Sequence, residues 1–171
     1  MKVTVYMTTT INGFVAKEND DTSFISETEW KAFPQFVKQV GAMVVGSKTY
    51  ALMQKGNEFD DYAGVTIVVL ANSSSFKPEN PSHLYVSSPK DAIELLEKRG
   101  VREVVVAGSG ATNGSFMREN LVDEIVLDVE PVAFGKGIQL FGDANFDTKL
   151  QLIGTKQLSP DEIRLRYKVG K

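Results

Sequence analysis

Three short valine-rich runs constrain this chain more than any other feature. Ala42 to Val45, Val65 to Leu70 and Glu103 to Ala107 stay apolar on consecutive positions instead of alternating, which is the pattern of strands buried on both faces. Each run gives way to a junction of small and polar residues: Gly46-Ser47-Lys48-Thr49, Ala71-Asn72-Ser73-Ser74 and Gly108-Ser109-Gly110-Ala111. Strands covered on both faces need helices above and below them, joined by crossovers, so the expected class is α/β with a mainly parallel central sheet.

Lys2 to Thr9 is β-branched and aromatic enough for a further strand, closed by the turn signal Ile11-Asn12-Gly13-Phe14. Lys17 to Ser23 is polar and acidic, of a length that suits a loop over a site. Ser26-Glu27-Thr28-Glu29 matches a capping box, and Trp30, Phe33, Val37 and Val40 follow on one helical face, which predicts that all four pack inward. Pro34 forfeits one amide bond and should kink this helix or shift its start. A short helix is expected from Lys48 to Gln54 and a brief strand from Leu84 to Val86. The clearest helix has Ser88 as cap, Pro89 at its first position, Ala92, Leu95 and Leu96 inward and Gly100 as terminator. The ending changes character. Leu150 to Leu158 and Glu162 to Val169 flank Ser159-Pro160-Asp161 as an antiparallel hairpin, with Arg164, Arg166 and Lys168 facing away from Ile163, Leu165, Tyr167 and Val169. A single domain over residues 1–171 is expected.

Composition narrows the chemistry. The chain has no cysteine, which removes disulfides, thiolate nucleophiles and thiolate metal sites together. Its one histidine, His83, sits beside a proline-bearing turn and is poorly placed for a catalytic triad or a two-histidine metal centre, so no metal is expected. With 19 basic and 22 acidic side chains the formal charge is -3, and no basic field waits for a nucleic-acid backbone. No stretch approaches the ~18 apolar residues of a membrane helix, and the start Lys2-Val3-Thr4-Val5-Tyr6 lacks a signal-peptide pattern. The expected location is the cytoplasm, with no membrane partner. Carboxylates, hydroxyls, lysines and backbone amides remain, which favours chemistry carried by a bound cofactor.

The carboxyl ends of parallel strands line up along one sheet edge, and amides at the following helix starts make that edge attractive to phosphates. Gly108-Ser109-Gly110-Ala111-Thr112-Asn113-Gly114 has the glycine spacing of dinucleotide-binding turns, and Asp128 falls where a ribose-binding acid would stand. The antiparallel ending does not continue as a Rossmann unit. Gly135-Lys136-Gly137 lacks the spacing of a P-loop, and no G-x-S-x-G occurs.

Four stretches carry a resemblance: Thr8 to Ala16, Met43-Val44-Val45-Gly46-Ser47-Lys48-Thr49-Tyr50, Val104 to Gly110, and Leu121 to Ile125 continued through Pro131 to Gly137. In their order and spacing the chain resembles the dihydrofolate reductase superfamily, more closely the branch containing the reductase domain of bacterial riboflavin biosynthesis. The resemblance implies a three-layer fold and NADPH bound along the sheet edge already singled out. Ala16 would lie near the nicotinamide, and Gly46, Ser47, Lys48 and Thr49 would hold the phosphates. Asn72 and Ser73 would lie by the adenosine half, and Gly108, Ser109 and Gly110, with Ala111 beside them, would receive the diphosphate and nicotinamide ribose. Small residues suit these places because a side chain would hold the cofactor off the backbone.

The chain departs from the family pattern at Ser47, where arginine is frequent, at Gly108-Ser109, where paired glycines with a cis peptide are common, and at Asn12, where the riboflavin branch commonly has aspartate. The implied reaction is hydride transfer to a pteridine-like, pyrimidine-like or other small heterocycle, of the dihydrofolate reductase or 5-amino-6-(5-phosphoribosylamino)uracil reductase type. Folate-reducing relatives place a carboxylate on the first long helix, where Glu29 is the nearest match, although the capping box by itself accounts for a glutamate there. Asp20 and Asp21 are alternatives in the preceding loop. Trp30 suits either stacking on a planar ring or core packing. A nucleotide-binding module that kept the fold without the chemistry is the rival reading. A homodimer formed through the C-terminal strands is expected, since Asp123 to Val132 and Glu162 to Val169 would otherwise leave long edges.

Overall fold

In the computed structural model, which describes residues 1–72 and 76–170, the valine-rich runs are three adjacent parallel strands. They are β3 (Ala42–Gly46), β4 (Thr66–Leu70) and β6 (Glu103–Val106). With β1 (Lys2–Thr10), β5 (Leu84–Val86), β7 (Glu124–Glu130), β9 (Leu150–Gln157) and β10 (Ile163–Val169) they make an eight-stranded sheet of order β5-β4-β3-β6-β1-β7-β10-β9. Only β10 runs against the rest, pairing antiparallel with β7 on one side and β9 on the other. A two-stranded ribbon, β2 (Phe14–Ala16) with β8 (Ile138–Gln139), ties the loop after β1 to the loop after β7.

Alternate side chains of each buried strand feed two cores, as consecutive apolar positions require. On one face Val3, Val5, Val44, Val68, Val104 and Val106 pack under α3 (Pro89–Lys98) and α4 (Gly110–Arg118). On the other face Tyr6, Met43, Val45, Val69 and Val105 meet α1 (Glu27–Val40), α2 (Ser47–Lys55) and a 3-10 turn at Glu58–Tyr62. The result is helix, sheet and helix in three layers, as expected. His83 is structural: its Nδ1 shares a 2.9 Å hydrogen bond with the Tyr50 hydroxyl beside Phe59.

Helix α1 spans Glu27 to Val40 with Pro34 buried inside it. Two local expectations are corrected. Trp30 does not join the core: it is 47% exposed, whereas Val37 on the same helix is fully buried. The strand edges lie elsewhere than expected, because β7 and β10 are interior and β9 is the outer strand at the C-terminal end. Arg164 and Arg166, on interior strand β10, pair with acids of β7.

The glycines at the junctions serve internal packing. A Cβ on Gly46 would stand 2.4 Å from Thr112 Oγ1, and one on Gly108 would stand 2.4 Å from Thr112 Cβ. Thr112, on α4, occupies the space that both glycines leave. Gly46→Ala is therefore expected to destabilise the fold by about 1–3 kcal/mol through overpacking. Thr112→Ala should restore most of that loss, since the next atom, Thr112 Cβ, is 3.7 Å away. Thermal unfolding of the single and double variants checks this, and a double variant no more stable than Gly46→Ala would refute it.

Candidate active site

A cleft of about 170 Å³ opens at the carboxyl ends of β3 and β6, where strand order changes direction. Of the residues singled out in the sequence, Ala16, Lys48, Thr49, Gly108 and Ser109 line it. Gly46 lies buried beneath Thr112, and Gly110 packs against the backbone of Gln139 and Gly142, so neither presents a free surface. Ser47, Asn72 and Ala111 lie outside the lining, and Ser73 is outside the described residues. The acidic loop also reaches the site: Asp20, Thr22 and Ile25 line the cleft, and Asp20 Oδ2 pairs with Lys48 Nζ at 2.8 Å. The other loop candidate, Asp21, is held at about 2 by hydrogen bonds from Lys17 and Ser23, which leaves it a poor proton donor. Asn12 is a tie within the loops, donating from Nδ2 to the Phe134 carbonyl at 3.0 Å.

The four helices begin in two ways. α1 and α3 carry serine caps, Ser26 and Ser88, whose hydroxyls accept from the third residue, and both have acids in the first turn. α2 and α4, which begin beside the cleft at Ser47 and Gly110, have no side-chain cap bond and no acid in the first turn. Their first amides carry partial positive charge without a side-chain acceptor, which fits the phosphates of a nucleotide. The 108–109 peptide is trans.

Behind the cleft lies a buried polar cluster that local sequence reasoning did not assemble. The capping box forms only in one direction: Ser26 Oγ accepts from Glu29 N at 3.2 Å, but Ser26 N donates to Glu130 Oε1 at 2.8 Å instead of to Glu29. Glu29, 3% exposed, turns toward the sheet. Its Oε1 accepts from Thr8 Oγ1 at 2.8 Å, and its carboxyl hydrogen-bonds that of Asp128. Tyr6 Oη lies 2.7 Å from Asp128 Oδ2, and Arg164 forks onto the same carboxylate, with Nε to Oδ1 at 2.7 Å and Nη2 to Oδ2 at 2.6 Å. Arg164 also donates to the Tyr6 hydroxyl.

The register explains how these groups meet. Thr8 stands opposite Asp128 on adjacent parallel strands, and Arg164 opposite Asp128 on the antiparallel side. Burial, followed by the hydrogen bond and charge of Asp128, raises the Glu29 carboxyl from its ordinary 4.5 to about 9. Burial pushes Asp128 upward too, but hydrogen bonds from Arg164, Glu29 and Tyr6 outweigh it and hold that carboxyl low. Two carboxyls thus share one proton, and Glu29 carries it. Tyr6 and Thr8 line the cleft, so Thr8 touches both the cleft and, through its hydroxyl, Glu29.

Residues 1–163 match the family model of the RibD C-terminal domain. The uncharacterized protein YwjB of Bacillus subtilis (strain 168) is 27% identical over 170 residues, covering 97% of either chain. A Shewanella sp. PV-4 protein named for riboflavin biosynthesis has a similar structure, with TM-score 0.84 and 21% identity over the whole of both chains. Dihydrofolate reductase from Enterococcus faecalis, complexed with NADP(H) and RAB-propyl, follows at TM-score 0.72 and 15% identity, covering 99% of this chain and 97% of that one. At these identities the two structures establish a shared dihydrofolate reductase-like fold. With the family model spanning nearly the full sheet, this chain belongs to the RibD C-terminal domain family.

Proposed function

We propose that this chain is an NADPH-dependent reductase of a small pteridine-like or pyrimidine-like heterocycle. The observation that carries the reading is a cleft flanked by two uncapped helix starts and backed by the buried Glu29 carboxyl, which its surroundings hold well above the ordinary carboxylate range. Hydride for the carbon of a C=N bond is what a bound nicotinamide supplies, and the chain must add one proton at the neighbouring nitrogen. Glu29 holds that proton at neutral pH; to relay it, the Thr8 hydroxyl, which at rest donates to Glu29 Oε1, turns to give its own hydrogen to the cleft and accepts the carboxyl proton at Oγ1 in its place. In this reading phosphate is held by Lys48 and Thr49 in the first turn of α2 and by Ser109, the residue before α4. A proton held behind the pocket favours a reductase over the rival reading, a module that only binds nucleotide. The work suits the cytoplasm; among the described residues no helix is long and apolar enough to cross a membrane.

Titration with NADPH is expected to raise thermal stability and to change the emission of Trp30, the one tryptophan, which lines the cleft. Lys48→Ala should weaken NADPH about threefold to tenfold more than NADH, because the lost cation faces the extra phosphate. Saturating NADPH and NADH that both leave stability and emission unchanged would remove the cofactor claim. An unchanged preference in the variant would remove the role of Lys48.

A homodimer forms through β9 in the same reading. This outer strand exposes Leu150, Leu152 and Ile153 at 44%, 52% and 48%, an apolar edge that a second copy would cover. Sedimentation at micromolar concentration should give twice the mass of one chain, and Leu152→Lys should shift the population toward single chains. A concentration-independent mass of one chain refutes the dimer.

A further inference from the structure

We infer that the cleft takes a planar heterocycle bearing no phosphate group; this rests on the cleft being the substrate site of the proposed reductase. Part of its wall is apolar and comes from the helical layer: Trp30 and Phe33 from α1, Leu52 and Met53 from α2, and Tyr62 from the 3-10 turn. Trp30 and Leu52 stay 47% and 45% exposed there although both helices bury apolar neighbours. Large apolar side chains left open on one concave surface mark where a ligand covers them, and an indole offers a flat ring a stacking partner.

Charge separates the ligand classes. Among the described lining residues Lys48 is the cation, and it already lies 2.8 Å from Asp20 Oδ2. Two carboxylates, Asp20 and Glu58, share the lining, and Asp60 and Asp61 follow Glu58 in the same turn. Burial, then the charge of Asp61, holds the Glu58 carboxyl above its usual range, which is how surroundings hostile to an anion act on a carboxylate. A phosphate carried in by a substrate would meet these acids and an apolar wall, with Lys48 committed to Asp20 or to the cofactor. An uncharged ring meets no such penalty.

The test uses two matched pairs on the whole chain: 6-hydroxymethylpterin and its monophosphate, and 5-amino-6-ribosylaminouracil and its 5′-phosphate. The single tryptophan gives one indole N–H signal by NMR, and calorimetry supplies the affinities. At least one unphosphorylated member is expected to move that signal saturably, and its phosphate to bind at least about tenfold more weakly. Glu58→Gln should narrow the difference. The inference is overturned if neither unphosphorylated compound moves the signal, or if the phosphate of the one that does binds as tightly. NADPH oxidation is then followed with the tighter parent compound. Binding without oxidation removes the reductase reading and leaves this one standing; oxidation with the phosphorylated compound preferred does the reverse.

Discussion

In the proposed reductase, Glu29→Gln is expected to lower turnover by about 100-fold or more, the usual worth of a positioned acid, while NADPH affinity should stay close to that of the unaltered chain. The amide is a fair replica of the protonated carboxyl. Its Nε2 can donate to Asp128 and its Oε1 can accept from Thr8, so the cluster keeps its hydrogen bonds and loses only the transferable proton. In the unaltered chain turnover should fall as pH rises through about 9, where Glu29 ionises. Stability moves the other way in the variant. The folded chain holds the Glu29 proton up to about 9 whereas the unfolded chain releases it near 4.5, so the unfolded state binds fewer protons and stability falls as pH rises between those values. Glutamine has no such window and should raise Tm at pH 8 by at least about 2–4 °C, with a smaller gain at pH 5. Turnover within threefold of the unaltered chain would show that the proton comes from elsewhere.

How much of this was legible depended on how far apart in sequence the interacting groups lie. Two-sided valine runs marked β3, β4 and β6, and the alternation of Ile163, Leu165 and Tyr167 with charged residues marked β10, because strand burial imprints its period locally. Lys48, Thr49, Gly108 and Ser109 of the junctions line the cleft, yet glycine spacing did not reveal that Thr112 fills the space above Gly46 and Gly108. The buried cluster was hidden for a different reason. Tyr6, Glu29, Asp128 and Arg164 come from β1, α1, β7 and β10, and only the sheet register brings them together. A polar face on β7 opposite arginines on β10 was the available signal, but charged residues in alternation ordinarily face water. The capping box concealed Glu29 because half of it does form, and the diversion of Ser26 N to Glu130 is a contact across more than a hundred residues.

Arg164→Met is expected to destabilise the fold by about 3–5 kcal/mol, the cost of leaving a buried charge without its partner. Asp128 is 3% exposed and Arg164 13%, so water replaces little of what is lost. The guanidinium also lies 4.9 Å from the Tyr6 ring centre and 5.9 Å from that of Phe36, contacts that methionine only partly restores. Arg164→Lys keeps the charge without the two-pronged geometry and should recover only part of the loss. Asp128→Asn combined with Arg164→Met removes the orphaned charge and should unfold at a higher temperature than Arg164→Met alone. The pH dependence gives an independent check. Asp128 in the intact chain titrates below the ordinary carboxylate range, so its contribution is present above the unfolded value and is lost as pH falls through the folded one. The penalty of Arg164→Met should accordingly shrink in acid, because the variant's unpaired buried carboxyl takes up a proton at a pH where Asp128 of the intact chain is still ionised. Urea unfolding at pH 7 and pH 4 measures both effects. A single variant within about 1 kcal/mol of the unaltered chain at pH 7 would mean that Glu29 and Tyr6 alone compensate the Asp128 charge, and that the fork is dispensable.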